Sequence, residues 1–317
     1  MNFLNIWTGW EKSMLLLQQM IVLFIYIVIG YAAAKRGIMD EEFSKKISWI
    51  VVNVANPALT LSAVVNGDGM IEGRDLLVTA LTAVVILGGM VVLSLFLPVI
   101  FRAGAKEKNV YRLMSAFNNI GFMGFPVIAA VYGQAALLYA AIFSMLFNVL
   151  MYTYGIQTAR GQKMGKIEWI KILNIGVISS IFAIVIYLLK IPTPTFFNTT
   201  MGGLSGLTAP LSMMVIGISL AGMPLRELFM DIRMLSYSIT KLLVLPILFM
   251  PVINHVIDND MLCGVCMIMI STPAASMDAM LMQQYGDSRG AELAARGVAL
   301  TTLLSVITIP IVSAVVF

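Results

Sequence analysis

The sequence predicts an all-helical integral membrane protein in which ten transmembrane helices form two inverted five-helix repeats, with helices 4 and 9 broken and crossing. Three observations carry this. Hydrophobic residues make up 60% of the 317 and charged residues only 11%, more apolar surface than a soluble core and shell can hide. Ten apolar stretches approach or exceed the roughly 20 residues that a hydrocarbon layer of ~30 Å requires at ~1.5 Å per residue. Ten spans divide into halves of five, and because five is odd a duplicated unit must enter the membrane in opposite orientations.

The expected spans are 14–34, 47–65, 76–101, 111–132, 135–159, 169–189, 201–222, 234–256, 261–285 and 291–317, joined by short polar connections. The first follows no basic n-region with a small-residue cleavage site, so it is expected to stay as a span. The repeats are residues 1–160 and 161–317. Prolines fall at matching places in them: Pro57 and Pro210 in spans 2 and 7, Pro126 and Pro273 in spans 4 and 9, each pair about half a chain apart.

Basic residues set the orientation, because Lys and Arg accumulate in cytoplasmic loops. Loops after odd-numbered spans carry sixteen of the twenty, including Lys35, Arg102, Arg160, Lys163, Arg226 and Arg289, whereas the opposite side has only Lys12, Arg74 and Lys190. Both termini are therefore expected outside, in a multi-pass protein of the cell membrane. The net charge of +4 is explained by topology and implies no nucleic-acid partner.

In span 2, "NVANPALT" places Asn53 and Asn56 three apart on one helix face, and Pro57 bends it as Pro210 bends span 7. Ligand contact and helix packing are both open here, since small and polar residues serve interhelical contacts in lipid. Span 4 contains "NNIGFMGFPVI" and span 9 "ISTPAASMD", helix breakers amid hydrocarbon. Unpaired backbone at membrane depth is tolerated where it lines a cavity or is buried in protein, so an interrupted span marks a transport site. A proline kink alone would explain either span; the breakers in corresponding spans favour two crossing half-helix pairs.

Proline suits the first turn of a helix, which places half-helix starts near Pro126 and Pro273. Their N-termini would face each other near the midplane, each carrying about half a positive charge, favouring an anion by ~0.3–1 kcal/mol and up to ~2 when partly buried. Asn118, Asn119, Gly121 and Pro126 from span 4, with Ser271, Thr272, Pro273 and Ser276 from span 9, form the candidate binding set, joined by Asn53 and Asn56.

Two charges lie inside spans, Lys241 in the eighth and Asp278 in the ninth. Lys241 lies about 10 Å deep and Asp278 roughly 7.5 Å from the midplane on the same side, counted at ~1.5 Å per residue. The depths agree, so a Lys–Asp pair is expected as an ion-coupling element; snorkelling of each to water is the alternative. Cys263 and Cys266 form C-x-x-C without enough neighbouring ligands for a metal, and read as buried apolar residues. The sequence has no phosphate-cradling loop, nucleophile elbow or ATP site, so no enzyme and no cofactor is expected, and energy must come from a gradient.

"FNNIGFMGFPVI", "LTAPLSMMVIGISLAG" and "STPAASMDAMLMQQYGDSRGAELAARGVALTTLLSVITIPIV" resemble the auxin efflux carrier family, the prokaryotic relatives of plant PIN-type transporters. The resemblance runs over essentially the whole chain. It implies the fold of sodium/proton antiporters and bile-acid transporters, with spans 1, 2, 6 and 7 as scaffold and spans 3–5 and 8–10 as a mobile transport domain. It implies elevator-type transport of a small organic anion such as a carboxylate. The plant carriers place an Asn-Pro-Asn pattern at the fourth-span break, whereas here Asn118 and Asn119 precede the glycines and Pro126 follows, so the asparagine that faces the ligand is open. The leading reading is a secondary transporter of an organic anion, with proton or sodium as coupling ion and homodimerisation left open. The alternatives are a sodium-coupled bile-acid-type carrier and, behind it, a channel or receptor.

Overall fold

The computed structural model describes residues 9–66, 73–105, 107–161 and 173–316, and every regular element among them is a helix. Helix α1 (Gly9–Lys35) is followed by α2 (Glu41–Ile50) and α3 (Asn56–Val65), which form one rod through a wide turn at Val51–Ala55. After α4 (Gly73–Ile100) come α5 (Lys108–Ala116), a wide turn at Ile120–Gly124, and α6 (Phe125–Tyr132). Helices α7 (Ala136–Leu150) and α8 (Ile156–Arg160) join through Met151–Gly155, and α9 (Ile175–Leu188), α10 (Thr195–Ser205), α11 (Thr208–Ala221) and α12 (Leu225–Met230) follow. Another rod runs from α13 (Ile232–Ile239) through Thr240–Val244 into α14 (Leu245–Val256), and α15 (Asp260–Ser271), α16 (Ser276–Tyr285) and α17 (Ser288–Val316) close the chain.

Seven of the resulting helical rods are long and apolar enough to cross a membrane, and Ile120–Tyr132, Ile175–Leu188 and Asp260–Ser271 are shorter apolar helices. The expected spans 4 and 9 are thus interrupted helices. For span 6, residues 169–172 lie outside the described residues, as does most of the basic 160–166 loop with Lys163 and Lys166. Helix ends extend beyond the apolar stretches where polar residues support them. Asp40 caps α2 by accepting from the Phe43 N–H at 2.7 Å, and Glu41–Lys45 and Glu42–Lys46 pair one turn apart at 2.9 and 2.8 Å.

In a wide turn the N–H bonds the carbonyl five residues back, as Asn56 does to Val51, Phe125 to Ile120 and Leu245 to Thr240. Each of these three turns is followed two residues later by proline: Pro57, Pro126 and Pro246. A proline ring crowds the carbonyl four residues back and cannot donate to it, and an extra residue in the preceding turn accommodates both demands without ending the helix.

Helix α4 shows how the outside is finished: Leu77, Leu81, Val85, Val92, Phe96 and Val99 are exposed while Ala83, Leu87 and Leu97 are buried, an apolar face suited to lipid. Helices α1 and α11 cross backbone to backbone. A Cβ on Gly30 would collide with the Met214 backbone, and one on Gly217 with the Ile27 carbonyl and Tyr31 nitrogen, the close approach that small residues permit between helices in lipid. The main core joins α5–α7 and α15–α17, with Phe117, Met123, Phe143, Met267 and Ile268 almost fully enclosed.

Candidate functional site: a crossing of two broken helices

Helix α5 ends where Phe117 turns extended (φ −119°, ψ 127°). Helix α15 ends at Thr272 (φ −67°, ψ 152°), whose successor Pro273 disfavours a helical conformation. The two links lie antiparallel, Asn118 opposite Ala274. Asn119 N–H donates to the Pro273 carbonyl at 2.7 Å, and Ala275 N–H to the Phe117 carbonyl at 3.2 Å. The Ala274 N–H donates to Thr301 Oγ1 of α17 at 3.2 Å. Backbone freed by the breaks is therefore rehydrogen-bonded inside the protein, as burial requires.

The second halves begin beside the crossing. Asn119 caps the turn at Ile120, accepting from the Phe122 N–H at 3.3 Å. The half-helix thus starts six residues before Pro126, and the expected start at Pro126 is corrected: that proline is buried inside a continuing helix, tolerated because of the wide turn before it. On the other strand Pro273 lies in the extended link and α16 begins at Ser276.

The adjacent asparagines do different work. Asn118, 6% exposed, donates through Nδ2 to the Met269 and Ile270 carbonyls at 2.6 and 3.0 Å. That orients Oδ1 to accept from the ammonium of Lys241. Asn119 donates instead to Ser276 Oγ at 3.3 Å, and Ser276 and Gly121 are partly accessible. Gly121 also faces α3, since a Cβ there would lie 3.4 Å from Asn56 Nδ2. Asn56 Oδ1 is buried without a hydrogen-bond partner. Ser276, Gly121 and Asn56 are thus partly accessible members of the expected set, with Asn119 buried against Ser276. Ser271, Thr272 and Pro273 are fully buried behind them, and Asn53 donates to the Trp49 carbonyl of its own helix.

Lys241 and Asp278 are enclosed, 1% and 0% exposed, and near enough for each charge to act on the other. The direct pair expected from their depths is not formed: Lys241 donates to Asn118, and neither Asp278 oxygen has a hydrogen-bond partner. Asn118 occupies the acceptor position because its amide is fixed by two backbone carbonyls. Asp278 stands in the first turn of α16, where the helix dipole favours a carboxylate.

Sequence reasoning drew attention to span 7 around Pro210 without singling out Thr208 and Ser212. Helix α11 packs on the wide turns at Val51–Ala55 and Ile120–Gly124, and Ser212 Oγ donates to the Phe122 carbonyl at 2.9 Å. Thr208 Oγ1 is buried without a partner. Their signal was available as hydroxyls at i and i+4 around Pro210. Tyr237 and Ser115, whose hydroxyls meet at 2.9 Å, also escaped notice because tyrosine in an apolar span looks like packing.

Residues 15–168 and 163–313 match a family described as membrane transport protein. An uncharacterized transporter of Methanothermobacter thermautotrophicus is 23% identical over 295 residues, 92% of this chain and 95% of its own. One of Methanocaldococcus jannaschii is 27% identical over 211 residues, 63% of this chain and 68% of that protein. The uncharacterized transporter YfdV of Escherichia coli is 24% identical over 136 residues, 42% of this chain and 43% of its own.

Proposed function

The chain belongs to the membrane transport protein family, that of the auxin efflux carriers, and from this premise we propose a secondary transporter of a small organic anion. The observation that carries the reading is the crossing itself: two half-helices begin two residues past the antiparallel contact of Asn118 with Ala274, and there the buried amide of Asn119 holds the partly accessible hydroxyl of Ser276. Helix N-termini and a nearby ammonium attract an anion, and amide and hydroxyl donors suit a carboxylate.

In this reading the chain crosses the membrane ten times as two inverted repeats with both termini outside. Spans 1, 2, 6 and 7 stand still while spans 3–5 and 8–10 move as an elevator. Asn56, Thr208 and Ser212 face the moving crossing from the scaffold, so contacts such as Ser212 to Phe122 exchange between the two end states. Proton uptake by Asp278 cancels its charge and leaves Lys241 to attract the anion; proton release restores the resting arrangement.

The test is substrate-induced exchange in proteoliposomes under an imposed proton or sodium gradient, after a thermal-shift screen of mono- and dicarboxylates. Saturable counterflow of a carboxylate supports the proposal. Uncoupled flux without counterflow identifies a channel, and absolute dependence on sodium identifies the bile-acid-type alternative.

A further inference from the structure

A buried ammonium persists at membrane depth only where fixed groups replace water as a source of negative potential. One such group binds Lys241 directly, and two more lie along the broken helix α15–α16. Asn118 Oδ1 is aimed at the ammonium by the bonds from Nδ2 to the Met269 and Ile270 carbonyls. Those carbonyls belong to the C-terminal end of α15, the pole that carries about half a negative charge. The third is Asp278, enclosed and without a hydrogen-bond partner on either oxygen. Ser271, the last residue of α15, adds a fully buried hydroxyl that also has no partner.

These donors are all oxygen, and they surround the end of a broken helix, the arrangement by which unwound carbonyls and half-helix C-termini hold sodium in carriers. A single carboxylate is too little charge for a divalent ion, and no cluster of three or more His, Cys, Asp or Glu occurs among the described residues. Sulfur and imidazole are absent from the set, which disfavours soft metals.

We propose that the crossing contains a monovalent-cation site in which the Lys241 ammonium stands where a sodium ion would bind. The cation is tethered to the wide turn at Thr240–Val244 and cannot leave with a substrate. The protein is therefore independent of sodium, and sodium dependence is latent, appearing when the lysine is shortened. This deepens the transporter reading above and rests on it only for the consequence for coupling; the site itself is tested without substrate.

Thermal unfolding of the purified full chain is compared in sodium chloride, potassium chloride and choline chloride at equal ionic strength, for wild type, Lys241→Ala and Lys241→Ala/Asp278→Asn. Wild type should unfold at the same temperature in all three salts. Lys241→Ala should be less stable in choline and recover by about 3 °C or more in sodium, saturating with concentration. The double variant should lose the sodium response. Stabilisation of wild type by sodium, or a folded Lys241→Ala indifferent to sodium, overturns the proposal. If Lys241→Ala does not fold in choline, it is purified in sodium beside Lys241→Met, which keeps side-chain length without the charge. Failure of sodium to support folded Lys241→Ala, or a sodium response in Lys241→Met, whose side chain still fills the place, also overturns it. Absence of carboxylate transport, by contrast, would remove the transporter reading and leave the cation result standing.

Discussion

Ser212 on α11 donates its hydroxyl to the carbonyl of Phe122 at 2.9 Å, the acceptor that Pro126, four residues on, has no N–H to reach. A proline in one element is thus complemented by a hydroxyl in another. Ser212→Ala should cost about 1–2 kcal/mol, the penalty for leaving a buried carbonyl short of a donor. In a Pro126→Ala background the same substitution should cost less, because residue 126 regains an N–H. Chemical or thermal unfolding of the four proteins measures the coupling, and equal costs in both backgrounds would refute this account of the turn.

The asparagines of the crossing should separate under mutation. Asn118→Ala removes two bonds to backbone carbonyls and the partner of a buried ammonium, and should destabilise the chain by about 3–5 kcal/mol. Asn119→Ala removes one partly buried side-chain bond and a cap, and should cost about 1 kcal/mol while weakening carboxylate binding more than tenfold. Unfolding midpoints and binding isotherms on the same preparations decide it; the reverse ranking would move the site.

The breaks in spans 4 and 9 were legible because asparagine, glycine and proline in the one, and serine, threonine and proline in the other, interrupt hydrocarbon. Their exact edges were not. Pro126 looked like a helix start, yet the wide turn at Ile120–Gly124 lets it sit inside a helix, and the chain breaks instead at residues 117–119. Neighbouring residues of a non-helical link point to different sides, so Asn118 and Asn119 take different roles that a sequence motif treats as one. Depth counting brought Lys241 and Asp278 to one level, but the amide of Asn118 that takes the Lys241 ammonium depends on carbonyls 151 and 152 residues away in sequence.

At the crossing of α1 and α11 a methyl group has nowhere to go. Gly217→Ala places Cβ against the Ile27 carbonyl and Tyr31 nitrogen, backbone atoms that cannot rotate away. Overpacking of that kind should cost about 3 kcal/mol or more. Gly88→Ala on α4, where nothing lies within 4 Å of the added Cβ, should be neutral or slightly stabilising through helix propensity. Folded yield and unfolding midpoint distinguish them, and a well-folded Gly217→Ala would mean that the two helices stand further apart.

Orientation is open to labelling in intact cells, with Cys263 and Cys266, both buried, replaced by alanine. A cysteine at Lys190 should react with an impermeant maleimide and one at Arg36 only after permeabilisation, following the asymmetry of basic loops. Reaction at Arg36 from outside would invert the topology.

Lys241 and Asp278 should behave as one electrostatic unit although no hydrogen bond joins them. Lys241→Met leaves the Asp278 carboxylate without a counter-charge in a fully enclosed place; Asp278→Asn leaves the ammonium with Asn118 alone. Each single change should therefore destabilise by about 3–5 kcal/mol, the penalty for stranding one buried charge. The double variant carries neither charge and should be more stable than the worse single, with a coupling energy of about 1–3 kcal/mol. Function should divide differently. If Asp278 takes the proton that couples transport, Asp278→Asn cannot cycle between charge states, so it should lose proton-driven accumulation and keep counterflow exchange of the same anion. Lys241→Met should lose affinity for the anion in both assays, since it removes the attracting charge. Unfolding in sodium-free buffer and paired accumulation and counterflow assays supply the measurements. Additive stability losses would show that the two charges are independent, and full proton-driven accumulation by Asp278→Asn would place the coupling proton elsewhere.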